Sequence, residues 1–495
     1  MLANVAEKYL KMNIILIYPL LSKKRSLVDE NKQYWPPLGL AYIAAVLEKG
    51  GHKVTILDRD AFLHKNSMSF ERTDEDTLSA IKRMNADLIG FSATTPNVGD
   101  VFGLSSKIKK TYPNIKIVMG GPHSTGEPEL TLKLTDDIDA ICRGEGEFTM
   151  LDLAGGKNLS EIPGLSFKSG SKVVHNAGRP LMDNIDDLPM PALHLLDMEF
   201  YLRPSRFTSR NLSLRTTSIF TARGCPYRCN FCAGPLIFSG KVRFHSAQRV
   251  IAEIERLIAD YGIEALYFAE DMFLSDKRRA NEILRLFIHN NINKKIRWFA
   301  QAKASVIDEG LLKLMKDAGC VGIEYGFESG SQDILNKMNK KARVEDNVKA
   351  AKLTEKVGLR YQANMIAGYP GETRRDFEMT IAFLKKIKPS NIGFNLFMAL
   401  PGTPEYIRLK EAGDISYDWE NVGNPEGGKN YTAMSDRDFQ KMYAKARLSV
   451  ILPLNLVNFI RYNIRNPIRF IYLTLTQFRG IVIKTVRSDL KKIFK

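Results

Sequence analysis

Short apolar runs alternate with helical spacings twice along this 495-residue chain, and that alternation admits few folds. In residues 12–150 the predicted strands cover 13–18, 53–57, 87–92, 115–119 and 138–142, with helical periodicity over 38–49, 77–84 and 100–112. Strands and helices alternating at this length specify an α/β domain with a parallel, doubly wound sheet. The ligand crevice of such a sheet lies at the carboxyl ends of its strands. A second series has strands over 218–222, 265–269, 296–302, 322–327, 361–367 and 392–398. Its helices cover 247–261, 277–290, 309–316, 344–357, 375–386 and 404–411. Six such units predict a partial (β/α)6 barrel over 211–412, with functional residues at the carboxyl ends of the strands. Residues 151–210 read as a connector with a hairpin near 164–174 and a linker at 183–191. Residues 413–495 read as a basic, amphipathic helical C-terminal region.

Three loops of the first series are rich in small or polar residues: Ser92-Ala93-Thr94-Thr95-Pro96-Asn97, Gly120-Gly121-Pro122-His123-Ser124 and Arg143-Gly144-Glu145-Gly146-Glu147. Glycines there let the backbone approach a large ligand closely. Taken alone the loops carry two readings, since glycine turns end strands in many α/β folds.

The five cysteines are unevenly placed. Cys225, Cys229 and Cys232 crowd into eight residues, while Cys142 and Cys320 stand far away. Clustering of this kind in a large chain favours metal binding in a reducing compartment over a disulfide framework. The stretch Arg223-Gly224-Cys225-Pro226-Tyr227-Arg228-Cys229-Asn230-Phe231-Cys232 follows the first barrel strand. Soft thiolates select zinc or iron–sulfur clusters. Structural zinc asks for four ligands, and only Cys320 or His245 offers a fourth. Three thiolates on a four-iron cluster instead leave one iron open for a ligand.

Cys-x3-Cys-x2-Cys with an aromatic residue, Phe231, before the last cysteine resembles the signature of radical S-adenosylmethionine (SAM) enzymes. The resemblance implies a [4Fe–4S] cluster on Cys225, Cys229 and Cys232, with SAM chelated to the open iron. One-electron cleavage of SAM would give a 5′-deoxyadenosyl radical, able to take hydrogen from an unactivated carbon. It also implies SAM contacts from Phe231, from Glu270 and Asp271 after the second strand, from Glu328 and Ser329 after the fourth, and from Ile366 on the fifth. The turns at 368–373 and 400–404 fall where the family has them. Trp35-Pro36-Pro37-Leu38-Gly39-Leu40-Ala41-Tyr42, together with the three small-residue loops, resembles the cobalamin-binding members. The likeness runs over about residues 13–410. It makes the first sheet a flavodoxin-like cobalamin-binding domain and implies corrin contacts from Ser92, Thr94, Thr95, Gly120, Gly121, His123, Gly144 and Glu145. The Asp-x-His-x-x-Gly motif that supplies an axial histidine elsewhere is missing after the first strand, so His123 is not expected to bind cobalt.

The resemblance implies either C-methylation of a small, lipid or isoprenoid substrate, or a cobalamin-dependent oxidoreductase or cyclase reaction without methyl transfer. An electron donor of the flavodoxin or ferredoxin type would supply the reductant. Methylthiotransferases differ in carrying three further N-terminal cysteines. A corrinoid or iron–sulfur carrier is the non-enzymatic alternative, but a carrier needs no complete barrel.

Charge is concentrated at the end of the chain. Residues 441–495 hold twelve Lys or Arg against one acid, Asp489, and so account for +11 of the formal +17. Arg461, Arg465 and Arg469 share a helical face beside Ile464, Ile468 and Ile471. Basic residues opposite apolar ones suit a helix at a membrane interface; a solvated face covering the open side of the barrel suits them equally. Nucleic acid ranks lower, because the tail is apolar and no RNA-binding module is recognisable. The apolar run 14–21 is short and lacks a signal-like cleavage pattern, so it is expected to be a buried strand. No run approaches the length of a membrane span. The expected location is the cytoplasm, with peripheral membrane contact through 441–495 as the open alternative.

Overall fold

The structure is a computed structural model that describes residues 11–20, 34–203, 214–270, 273–415 and 429–463, with isolated positions at 486, 489, 490 and 492. Strands β1 (Asn13–Tyr18), β2 (Lys53–Asp58), β3 (Leu88–Ser92), β4 (Lys116–Gly120) and β5 (Ala140–Cys142) form the expected parallel sheet. Their apolar runs are buried on both faces, as helices on either side of a parallel sheet require. The connector is less irregular than its sequence reads. Its hairpin, β6 (Leu165–Ser169) and β7 (Lys172–His175), adds antiparallel to β5, so the sheet has seven strands in the order β2-β1-β3-β4-β5-β6-β7. The hairpin thus belongs to the first domain. Arg59–Lys65 escaped the periodicity because it is short with its apolar residues adjacent, and the first turns of Phe70–Met84 because they are polar.

The second sheet is wholly parallel: β8 (Thr216–Ile219), β11 (Ala265–Phe268), β12 (Arg297–Ala302), β13 (Cys320–Glu328), β14 (Arg360–Ala367) and β15 (Asn391–Leu396), in that spatial order. Its helix-facing side carries Trp298, Ala300, Ile323, Tyr325, Ala363 and Met365, packed in one apolar core with the surrounding helices. The sequence reading ran 218–222 as one strand. The chain instead breaks after Ile219, and Ala222–Arg223 forms β9, paired antiparallel with β10 (Arg243–Phe244). That two-stranded ribbon frames the cysteine loop.

The C-terminal region folds back on the barrel. Phe439 and Tyr443 are buried with Phe377 and Ala367, and the Tyr443 hydroxyl donates to the Phe394 carbonyl at 3.1 Å. Asn455 accepts from the Ile392 amide (2.9 Å) and donates to its carbonyl (3.3 Å), while Asn458 donates to the Pro389 carbonyl (2.8 Å). Residues 436–458 therefore cover the open edge of the partial barrel at β15. Arg465, Arg469 and the isoleucines beside them lie outside the described residues. Among the described residues, no helix is long and apolar enough to cross a membrane.

Candidate active site

The carboxyl ends of the two sheets share one cavity of about 400 Å³. Its walls come from Gly39 and Tyr42 on the first helix, Ser92, Gly120, Gly121, Gly144 and Glu145 on the first sheet, and Phe220, Arg223, Gly224, Ala269 and Glu270 on the barrel. Glycine keeps these walls flat. A Cβ at Gly39 would meet no atom within 4 Å and would project into open space. Gly121 sits at φ +97°, where a Cβ would lie 2.5 Å from the Ala93 carbonyl oxygen, so only glycine turns the chain there.

Buried ion pairs join the two halves beside this cavity. Arg223 donates to Glu145 (2.9 Å) and Glu147 (2.6 Å), and Arg243 donates twice to Glu145 at 2.8 Å. Arg223 also lies 5.0 Å over the Tyr42 ring. Burial opposes ionisation of Glu145, but the two guanidiniums outweigh it and hold its carboxyl below the usual range. A second junction is steric: Gly126 approaches the Pro401-Gly402 turn so closely that a Cβ would fall 2.2 Å from the Pro401 oxygen.

The cysteine loop is pinned from three sides. Gly224, at φ +96°, packs under the Lys241 carbonyl, where a Cβ would come within 2.1 Å. Asn230 donates through its amide to the Met338 carbonyl (2.9 Å) and through Nδ2 to that of Lys337 (2.8 Å). Asn339 donates to the Arg228 carbonyl (2.7 Å), and the Glu405 amide to that of Asn230 (3.0 Å). Two lysines flank the thiols. Lys340 donates to Glu328 at 2.7 Å and lies 5.8 Å from the Phe231 ring; Lys303 lies 3.4 Å over the Tyr227 ring. Burial raises the Cys229 pKa, and the charges of Lys340 and Lys303 work against that rise. Such a pair suits thiolates that carry net negative charge.

Five of the eight expected corrin contacts line the cavity: Ser92, Gly120, Gly121, Gly144 and Glu145. Thr94, Thr95 and His123 do not. Thr94 interacts with Asn97, and His123 is buried with Nδ1 3.2 Å from the Thr95 hydroxyl; burial lowers its pKa to about 4. Among the expected SAM contacts, Glu270 reaches the cavity wall, but its carboxylate accepts from the Thr221 amide and hydroxyl and so braces the start of the cysteine loop. Burial raises its pKa. Ser329 is fully buried, bonded to Thr380 and accepting from the Ser331 amide. Phe231 and Ile366 pack against one apolar cluster with Tyr369 and Phe397. Asp271 lies outside the described residues. The zinc reading loses its fourth ligand. Cys320 opens β13, at the end of the barrel remote from the triad, and His245 is engaged by Asp186 at 2.8 Å. Sequence reasoning missed Arg223, Arg243, Lys303 and Lys340. Arg223 sits inside the quoted motif, but nothing local marks the others.

Residues 24–154 match the B12 binding domain and residues 219–384 the radical SAM superfamily. An uncharacterized methyltransferase of Pyrococcus horikoshii is 35% identical over 74% of this chain and 77% of its own length. The chain belongs to the cobalamin-binding radical SAM enzymes. The anaerobic magnesium-protoporphyrin IX monomethyl ester cyclase of Cereibacter sphaeroides is 25% identical over 77% of this radical SAM enzyme, which spans 61% of the cyclase. The structure of TsrM, a radical SAM methyltransferase from Kitasatospora setae with cobalamin and a [4Fe–4S] cluster bound, shares the fold. Its TM-score is 0.66 at 19% identity, over 81% of this chain and 78% of that one.

The residues present fit these cofactors. Flat glycine walls and apolar neighbours suit a broad ring system, and the loop presents three cysteines between two lysines. Among the described residues no three His, Cys, Asp or Glu side chains could hold a single metal ion. A cluster asks for something else, since each thiolate binds a different iron.

Proposed function

We propose that this radical SAM enzyme methylates an unactivated carbon of a small molecule, with a [4Fe–4S] cluster on Cys225, Cys229 and Cys232, SAM, and cobalamin in the cavity between the sheets. Bound there, the cluster and SAM supply the hydrogen-abstracting radical while cobalamin carries the methyl group. The observation that carries the reading is the common cavity: the small-residue loops of the first sheet and the start of the cysteine loop open onto the same space. Two reactive cofactors can then meet one substrate, which neither a carrier nor a barrel alone requires. The chain's own residues set the geometry. Arg223 and Arg243 fix the corrin loop against the ribbon, Lys303 and Lys340 offset charge at the thiols, Gly39 keeps the cavity open, and Gly121 turns the chain at its wall. The cysteine loop would take its electron from a donor of the ferredoxin or flavodoxin type. Phe439, Tyr443, Asn455 and Asn458 are engaged by the barrel, so membrane contact through the tail would draw on exposed Val457 and Ile460 and on the chain that follows them.

The 25% identical cyclase supports a second outcome, radical chemistry without methyl transfer. The two separate in one assay. Reduced, reconstituted protein with SAM should form both 5′-deoxyadenosine and S-adenosylhomocysteine, the latter only with cobalamin present. Formation of 5′-deoxyadenosine with no cobalamin-dependent S-adenosylhomocysteine would overturn methyl transfer and leave the cyclase-type reading.

A further inference from the structure

The inner face of the barrel is polar where such barrels are ordinarily filled by layers of branched apolar side chains. In the parallel register Gln301 pairs with Glu324, Glu324 with Gln362, and Gln362 with Asn391. In-register neighbours share a face, so four polar side chains stand abreast across four strands. The next row toward the cysteine loop is Gly326, Asn364 and Gly393, two glycines around one amide. Neither glycine has room for a side chain. A Cβ on Gly393 would lie 2.5 Å from Asn364 Oδ1, and one on Gly326 would lie 2.5 Å from Glu328 Oε1. The amides form a directed chain: Asn391 Nδ2 donates to Gln362 Oε1 (2.9 Å), and Gln362 Nε2 donates to Asn364 Oδ1 (2.6 Å). The chain ends on the Nδ2 donor of Asn364. Deeper in the barrel an aromatic plate closes the space. Tyr267 and Phe299 stack with centroids 4.9 Å apart, Trp35 reaches across from the first domain to within 5.2 Å of Tyr267, and Gln301 donates to the Tyr267 hydroxyl.

Asn391, Gln362 and Gln301 already have partners along the row or at Tyr267, and Glu324 is buried, so hydrocarbon laid here would strip water from the Asn364 donor and return no hydrogen bond, at about 1–3 kcal/mol. A lipid or isoprenoid chain is therefore a poor occupant. We infer that the substrate is a small polar molecule: it accepts a hydrogen bond from Asn364, is held over the Gln301–Glu324–Gln362–Asn391 row, and turns a flat or apolar part toward Trp35, Tyr267 and Phe299. This rests on the proposed radical function and names its substrate class.

The test uses reduced holoenzyme with SAM, and as probes the aqueous metabolite fraction and the chloroform-extracted lipid fraction of the source cells. The aqueous fraction should raise 5′-deoxyadenosine formation above the SAM-only background and raise the thermal unfolding midpoint of the holoenzyme, as a ligand of the native state does. Asn364→Leu, and the near-isosteric Asn364→Asp that replaces the donor with a charged acceptor, should each need at least about tenfold more aqueous fraction for half-maximal stimulation, each variant read against its own background, as expected for a hydrogen bond worth about 1.4 kcal/mol. Stimulation by the lipid fraction alone, no effect of the aqueous fraction, or wild-type titration in both Asn364 variants would overturn the inference. Protein that forms no 5′-deoxyadenosine under any condition fails the parent reading instead, and the thermal shift then decides the substrate class by itself.

Discussion

Replacing Glu145 with Leu should loosen the junction between the two domains more than any exposed ion-pair change would. Its carboxylate takes three charge-assisted hydrogen bonds, one from Arg223 and two from Arg243, and the Arg243 side chain is only 2% exposed. Arg223 would keep Glu147, but Arg243 would keep only the Met182 carbonyl. Breaking a buried pair by removing one partner costs about 3–5 kcal/mol, because the remaining charge stays buried. At the lower end this corresponds to a roughly 100-fold larger population of the opened junction. The sign with pH follows from the lowered carboxyl pKa of Glu145 in the fold. Its stabilisation is fully present above the unfolded value of about 4.3 and is lost as pH falls through the lower folded value. Amide hydrogen exchange at neutral pH reads the effect at residues 143–147 and 222–224. Exchange there should quicken about 100-fold in the variant, while β13 and β14 stay at wild-type rates. Adding Arg243→Ala should recover part of the loss, since the stranded charge is then gone. Rates at 143–147 within about threefold of wild type, or strictly additive losses in the double variant, would refute the clamp.

Cys225→Ala, Cys229→Ala and Cys232→Ala should each abolish iron binding after anaerobic reconstitution, whereas Cys142→Ala and Cys320→Ala should retain about four irons. Burial pushes both of the latter thiols up to about 12, so they should also resist alkylation at pH 8 until the chain unfolds. Gly39→Phe should cut cobalamin retention at least about tenfold by filling the cavity, with iron content unchanged. In liposome flotation the intact chain should float on anionic vesicles and a chain ending at residue 463 should not; equal behaviour of the two would remove the tail from any membrane role.

What the sequence disclosed and what it hid divide along range. Helices such as 38–49, 247–261, 344–357 and 404–411 match the structure residue for residue, because their apolar periodicity is local. The cysteine triad was legible for the same reason: its chemistry needs only spacing. The hairpin's place in the first sheet was not, since β5–β6 pairing depends on partners more than twenty residues apart. Nor was the polar row, where Gln301, Glu324, Gln362 and Asn391 become neighbours only through parallel register. Glu270 and Ser329 were placed at the right strand ends, yet the structure engages both in internal hydrogen bonds that spacing cannot reveal. Lys340 reaches the cysteines from a turn more than a hundred residues downstream.

The proposed function needs the cluster, on the loop that begins at the cavity wall, and cobalamin in the cavity to lie close together, and magnetic interaction between them reads that closeness. The holoenzyme should be poised so that the cluster is reduced and cobalamin is in its paramagnetic divalent state, and its electron paramagnetic resonance spectrum recorded. The cobalamin signal should be broadened and fast-relaxing through dipolar coupling to the cluster, and should return to the sharp isolated form in Cys229→Ala loaded with cobalamin. An unbroadened signal in fully loaded wild-type protein would place the two cofactors apart and contradict the proposed function.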